Sequence, residues 1–151
     1  MKKIILSIAL MICAVCAVNA QSFNSDTRFI GAAVGLDSGA GIPVSLYYEQ
    51  AVHEHVGVGA AIGYLGTEGI DHLLLGIRAN YHFLEHIVEG TKWDTYGGLI
   101  LGYNIATGEA DDDFILGGQL GARYCFNDSW AMFAEVGYGF GVLTLGATYS
   151  F

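Results

Sequence analysis

From Arg28 to the end of the chain, apolar residues recur at every second position in runs of about ten, each closed by a short polar or glycine-bearing stretch. Eight such runs follow one another: Arg28 to Leu36, Pro43 to Val52, Val56 to Leu65, His72 to Phe83, Trp93 to Ile105, Phe114 to Phe126, Trp130 to Tyr138, and a final run over 141–151, GVLTLGATYSF. The gaps between them are short, as in DSGAGI (37–42), GTEGID (66–71) and Gly139-Phe140-Gly141. A parallel return needs a dozen or more residues, so neighbouring strands are predicted to be antiparallel. Eight antiparallel strands in sequence, each with one continuous apolar face, predict an all-β, up-and-down barrel that closes on itself.

The two faces decide the solvent. In the sixth run Phe114, Leu116, Gly118, Leu120, Ala122, Tyr124 and Phe126 alternate with Ile115, Gly117, Gln119, Gly121, Arg123 and Cys125. The fourth sets Leu73, Leu75, Ile77, Ala79, Tyr81 and Phe83 against His72, Leu74, Gly76, Arg78, Asn80 and His82. An eight-stranded barrel has an interior just wide enough for side chains to fill. Rows of Phe, Leu and Tyr from all strands would overfill it, whereas Gly57, Gly59, Ala61 and Gly63 of the third run would fit. The greasy face is therefore predicted to point outward, into lipid. Aromatic residues gather at two levels. One holds Tyr81, Phe83, Trp93, Tyr124, Phe126, Trp130, Tyr149 and Phe151, the other Tyr64, Tyr103, Phe114, Tyr138 and Phe140. Trp93 and Tyr103 share one strand and lie roughly 33 Å apart along it at ~3.3 Å per residue. A tilt of about 40–45° shortens this to about 24 Å, close to the ~25 Å apolar band of transmembrane barrels.

With its alternation and terminal Phe151, preceded by Tyr149, the last run resembles the closing strand of bacterial outer-membrane barrels, whose assembly machinery reads such a signature. The chain from Arg28 onward is similar to the small eight-stranded barrels of the OmpA transmembrane-domain and OmpX type. The stretches IPVSLYYEQ (42–50) and GIRANYHF (76–83) resemble segments of Bacteroidetes-like barrels. The resemblance implies residence in the bacterial outer membrane, with lipids and lipopolysaccharide as surroundings and the barrel-assembly machinery as partner. It also implies that both termini face the periplasm. The longest connection, LEHIVEGTK (84–92), then falls on the periplasmic side, and the outer loops are short.

Residues 1–20 stand apart. Lys2 and Lys3, an apolar run from Ile4 to Val18, and Val18-Asn19-Ala20 fit a secretory signal peptide cut before Gln21. A run of fifteen residues is short for a membrane-spanning helix, which needs about 20. The expected organisation is a leader (1–20), a short periplasmic segment (21–27) and a barrel (28–151). Loss of the leader removes Cys13 and Cys16, leaving Cys125 without a disulfide partner in the chain. It also leaves four basic residues against fifteen acidic ones, a net charge of −11. Such a chain is a poor ligand for nucleic acid, which is bound by neutralising phosphates. At 53% hydrophobic residues with 22 glycines, the acidity must be segregated into loops.

Candidate chemistry lies mostly on the inward face. Glu49, Arg78, Arg123 and Glu135 are predicted to form a lumen charge network, with Glu135 diagonal to Arg123 and within reach, and with Asp94 and His82 extending it. A charge inside so narrow a barrel must be paired, because isolated burial costs several kcal/mol. His53-Glu54-His55 offers two ligands where a metal site needs three or four, and His86 is distant. Asp111-Asp112-Asp113 with Glu109 reads as a solvated acidic loop without the spacing of a calcium-binding hand. The strand serines, Ser45 and Ser150, have no adjacent histidine, so no catalytic triad is read. The expectation is a monomeric barrel without cofactor or catalysis, with a structural or surface-interaction role and a plugged lumen. The alternatives are a narrow channel for ions or very small solutes, and an enzyme acting on lipid A.

Overall fold

A computed structural model describes residues 23–36, 41–67, 69–84, 91–107 and 112–151. The expected leader, with Cys13 and Cys16, lies outside the described residues, as do His86, Glu109 and Asp111. Eight strands follow in chain order: β1 (Arg28–Leu36), β2 (Val44–His53), β3 (Val56–Thr67), β4 (Ile70–His82), β5 (Trp93–Ala106), β6 (Asp113–Cys125), β7 (Trp130–Tyr138) and β8 (Leu143–Ser150). Each pairs antiparallel with its sequence neighbours, and β1 pairs with β8 to close the barrel. The closing register runs from Phe29 opposite Ser150 to Leu36 opposite Leu143. Closure leaves no sheet edge, so every wall strand has hydrogen-bonding partners on both sides.

The strands agree with the alternation to within one or two residues at their ends. GTEGID reads as a loop, yet β3 runs on to Thr67 and β4 begins at Ile70, with Gly66 opposite Asp71 and Thr67 opposite Ile70. Local chemistry makes so tight a reversal feasible. Gly69 takes a φ of 85°, and the Thr67 hydroxyl donates to the Ile70 carbonyl at 2.9 Å.

The wall divides its side chains as the period of two requires. Outward positions on β1, for example, are exposed and inward ones buried without exception. Apolar side chains cover the outside of all eight strands, Leu99 (65% exposed) and Leu116 (72%) among them. From Leu73 to Tyr81 and from Phe114 to Phe126 the outward positions carry no charge. Such a belt is far larger than the apolar patches soluble monomers expose.

The inside holds more aromatic bulk than the glycine-rich faces suggest. Phe29, Tyr47, Tyr96 and Phe133 point inward and are buried. The interior glycines make room for them. A methyl group added at Gly31, Gly121 or Gly146 would lie 2.4 Å from a ring atom of Tyr47, Tyr96 or Phe133 respectively. Glycine and ring are directly opposed on neighbouring strands, Gly31 to Tyr47, Gly121 to Tyr96 and Gly146 to Phe133, so each ring lies over its glycine and the interior fills without overpacking.

Candidate functional site: the lumen cluster

Alternate positions on five strands converge inside the barrel. β2 contributes Glu49, β4 contributes Arg78, Asn80 and His82, β5 contributes Asp94 and Tyr96, β6 contributes Gln119 and Arg123, and β7 contributes Glu135. All nine are buried. Several bonds cross the lumen between strands that are not neighbours in the wall. Arg78 Nη2 donates to Glu135 Oε1 at 2.5 Å, and the Tyr96 hydroxyl donates to the same oxygen at 2.8 Å. Asn80 Nδ2 donates to Glu49 Oε2 at 2.6 Å, and the Gln119 and Asn80 side-chain amides meet at 2.7 Å. Arg78 Nε also lies 3.7 Å from Glu49 Oε2. The cluster therefore fastens the barrel from side to side.

His82 sits at its centre of charge. Its Nδ1 lies 2.7 Å from Asp94 Oδ1 and its Nε2 lies 3.0 Å from Glu49 Oε1. A neutral imidazole has one donor and one acceptor, so it satisfies only one carboxylate. An imidazolium donates to both. Three carboxylates, two guanidinium groups and one imidazolium then sum to zero, the condition under which a buried cluster escapes an uncompensated charge.

Arg123 takes a partner other than the expected one. The register sets it directly opposite Asp94 on β5, and Arg123 Nη1 donates to Asp94 Oδ2 at 3.1 Å. Glu135, diagonal to Arg123, turns instead to Arg78 and Tyr96 across the lumen. Directly opposed residues are closer than diagonal ones, and Asp94 thus takes priority. The Arg123 guanidinium carbon also lies 3.8 Å above the centre of the Phe29 ring, and that of Arg78 lies 4.8 Å above the centre of the Tyr47 ring. These stackings let interior rings carry part of the solvation that water would supply.

The cluster is capped at both ends by aromatic rings that alternation did not place. Phe140 is expected in the upper girdle; the structure instead turns it inward, over Gly63 and Gly76. Gly139 and Gly141 flank it with φ of 146° and 147°, a conformation other residues rarely adopt, and this aims the ring into the mouth. Above it lies a cavity of about 200 Å³ lined in part by His72, Leu74 and Asn104. A second cavity, of about 10 Å³, lies beside Gln119, Glu135 and the Phe140 ring. That is about the least volume that holds one water. At the end carrying Arg28 and Ser150, Phe23 fills the mouth and stacks on His82 with ring centres 3.6 Å apart. Phe23 precedes the first alternating run, so no periodic signal marks it. Tyr96 carries such a signal, since it shares the parity of Asp94.

The girdle residues lie outside. Tyr81, Phe83, Trp93, Trp130, Tyr149 and Phe151 are exposed near the Arg28/Ser150 end, with Tyr124 and Phe126 half-buried among them. Trp93 packs edge-on against Tyr124 at 4.9 Å, and Trp130 against Tyr149 at 5.1 Å. Tyr64, Tyr103, Phe114 and Tyr138 are exposed toward the other end, where Tyr64 donates to Asp71 Oδ1 at 2.8 Å. Tyr48 adds an outward ring, its hydroxyl donating to Gln50 Oε1 at 2.9 Å.

Elsewhere, His53 and His55 have ring centres 5.8 Å apart, and His55 Nε2 lies 3.2 Å from Glu54 Oε1. Among the described residues, no group of three or more His, Cys, Asp or Glu is placed to hold a metal ion. Cys125 is buried.

No family model and no curated protein sequence matches the chain. Its fold does match a solved structure described as "De novo design of transmembrane beta-barrels", with a TM-score of 0.63 and 16% sequence identity over 87% of this chain and 100% of that one. The fold is that of a transmembrane β-barrel. At this identity the likeness concerns the backbone architecture. The lumen cluster is a feature of this chain's own side chains.

Proposed function

We propose that this protein is a monomeric barrel of the bacterial outer membrane, structural or surface-interacting, whose lumen is closed by its polar cluster. The observation that carries this reading is the opposition of an apolar exterior to an interior whose buried carboxylates and guanidinium groups are paired across it. Outside, lipid is the solvent such a surface requires. Inside, ion pairs that cross the lumen occupy the path an ion would take. In this reading the Arg28/Ser150 end faces the periplasm, and Phe151, 65% exposed next to outward-facing Tyr149, is presented to the assembly machinery. Lipids and lipopolysaccharide surround the rest. The reading assigns no catalytic step and no cofactor. His82 has both ring nitrogens engaged by carboxylates, so neither is available to activate a nucleophile.

The test is conductance of the purified protein in planar bilayers. A silent bilayer after verified insertion is expected. Stable unit steps would replace the closed-lumen reading with that of a narrow channel for ions or very small solutes.

A further inference from the structure

Phe23 belongs to no strand, yet it is 1% exposed. The backbone that holds it there is a side-chain-capped turn. Asn24 Oδ1 accepts from the Asp26 N–H at 2.9 Å and from the Thr27 hydroxyl at 3.1 Å. The Asn24 N–H donates to Thr27 Oγ1 at 2.9 Å, and the Thr27 N–H to the Asn24 carbonyl at 3.1 Å. One further bond, from the Ala51 N–H to the Thr27 carbonyl at 2.9 Å, ties the turn to β2. The chain is thereby folded back so that the Phe23 ring enters the mouth of the barrel.

There it covers His82, with the two rings 8° from parallel. The imidazole edges are already taken by Glu49 from β2 and Asp94 from β5, and Tyr96 of β5 lies 5.2 Å away at a tilt. Arg123 of β6 stands behind Asp94, and Asn80 of β4 behind Glu49. Phe23 thus closes this end of the cluster with an apolar ring stacked on the imidazole face. Phe140, the ring at the opposite mouth, is fixed between two paired strands. Phe23 packs with Phe29 and Ala51 inside, but the backbone that carries it lies outside the strands, in a turn of local hydrogen bonds that is partly exposed. Segments secured this way open at far lower free energy than barrel strands.

We propose that residues 23–27 form a cork: Phe23 seals the lumen at the Arg28/Ser150 end, and its withdrawal about the Asn24–Thr27 turn opens the Glu49–His82–Asp94 cluster to water. This rests on the closed-lumen reading and adds a movable part to it. The closed interior then has one fixed ring at one end and one releasable ring at the other, so access to the buried charges is controlled from the terminal end alone.

Thiol accessibility tests it. Ala51, buried in the same cluster as Phe23 and facing inward, is replaced by cysteine in a Cys125→Ser background. Labelling by a small charged methanethiosulfonate is timed on the folded barrel. Phe23→Ala is expected to raise the rate about tenfold or more, while Phe23→Leu, which refills the mouth, keeps it near the parent's. A Phe23→Ala rate within about twofold of the parent, on a barrel whose heat-dependent gel mobility shows it folded, overturns the proposal. Should that variant not fold, the same threshold applies to Asn24→Ala, which loosens the turn and keeps the ring. Unit conductance steps from the Phe23 parent would refute both the closed lumen and the cork, since ions would then pass the mouth that Phe23 seals. Parent-like labelling of Phe23→Ala with silent bilayers would refute the cork alone.

Discussion

The ion pair between Arg78 and Glu135 is the strongest single claim the lumen makes. Arg78 is 5% exposed and Glu135 7%, on strands that do not touch in the wall. With charge centres about 4 Å apart at an effective dielectric near 20, the attraction is about 4 kcal/mol, set against the desolvation of both groups. Breaking a buried pair from one side costs about 3–5 kcal/mol, because it strands a charge. In Arg78→Met, Glu135 keeps only the Tyr96 hydroxyl, and the cluster goes from neutral to net negative. The expected destabilisation is about 3–4 kcal/mol. In Glu135→Gln, Arg78 retains Glu49 Oε2 at 3.7 Å. The amide oxygen still accepts from Tyr96, so about 2–3 kcal/mol is expected. The double variant removes one charge of each sign and restores neutrality, so it is expected to fall short of the sum by about 2 kcal/mol or more. Urea unfolding of the barrel in phospholipid vesicles, followed by the fluorescence of Trp93 and Trp130, measures all three. A coupling below about 0.5 kcal/mol, or an Arg78→Met cost under about 1 kcal/mol, would show that the pair does not bind the walls together.

Two further perturbations test other parts of the construction. Gly31→Ala places a methyl group 2.4 Å from the Tyr47 ring. It is expected to cost about 1–3 kcal/mol in the same unfolding assay, with Tyr47→Leu relieving part of that loss; full additivity of the two would refute the complementary packing of ring and glycine. Phe151 lies beyond β8, and its N–H donates to the Arg28 carbonyl at 3.1 Å. Deleting it is expected to slow insertion by the assembly machinery several-fold while lowering the stability of the folded barrel by less than about 1 kcal/mol. Equal loss of both, by pulse-chase insertion and urea unfolding, would make its role mainly packing.

Much of the architecture was legible in one dimension because a β-strand has a period of two. Parity alone separates Leu73, Leu75 and Ile77 from Arg78, Asn80 and His82, and short gaps alone demand antiparallel neighbours. The size of an eight-stranded interior then settles which set faces in. For the same reason parity alone turns Glu49, Arg78, Arg123 and Glu135 inward, where all four are buried. Parity says nothing, however, about what happens across the lumen. Partners such as Arg78 and Glu135 come from strands that do not touch, and their meeting depends on register, shear and closure together. The β6–β7 hairpin alone points to Glu135 as the partner of Arg123, but β5 lies on the other side of β6 and brings Asp94 directly opposite.

Residues outside the alternating runs were the least legible. Phe140 reads as one more girdle aromatic until two positive-φ glycines are seen to turn it inward. Phe23 reads as part of a leader-proximal segment until the Asn24 turn folds it over His82. By itself, then, the sequence determined a barrel, its greasy exterior and the side chains that line its interior, because each follows from local periodicity. Only the tertiary structure decided which charges pair and which rings close the two mouths. Those contacts form between residues far apart in the chain, and no local pattern encodes the geometry that joins them.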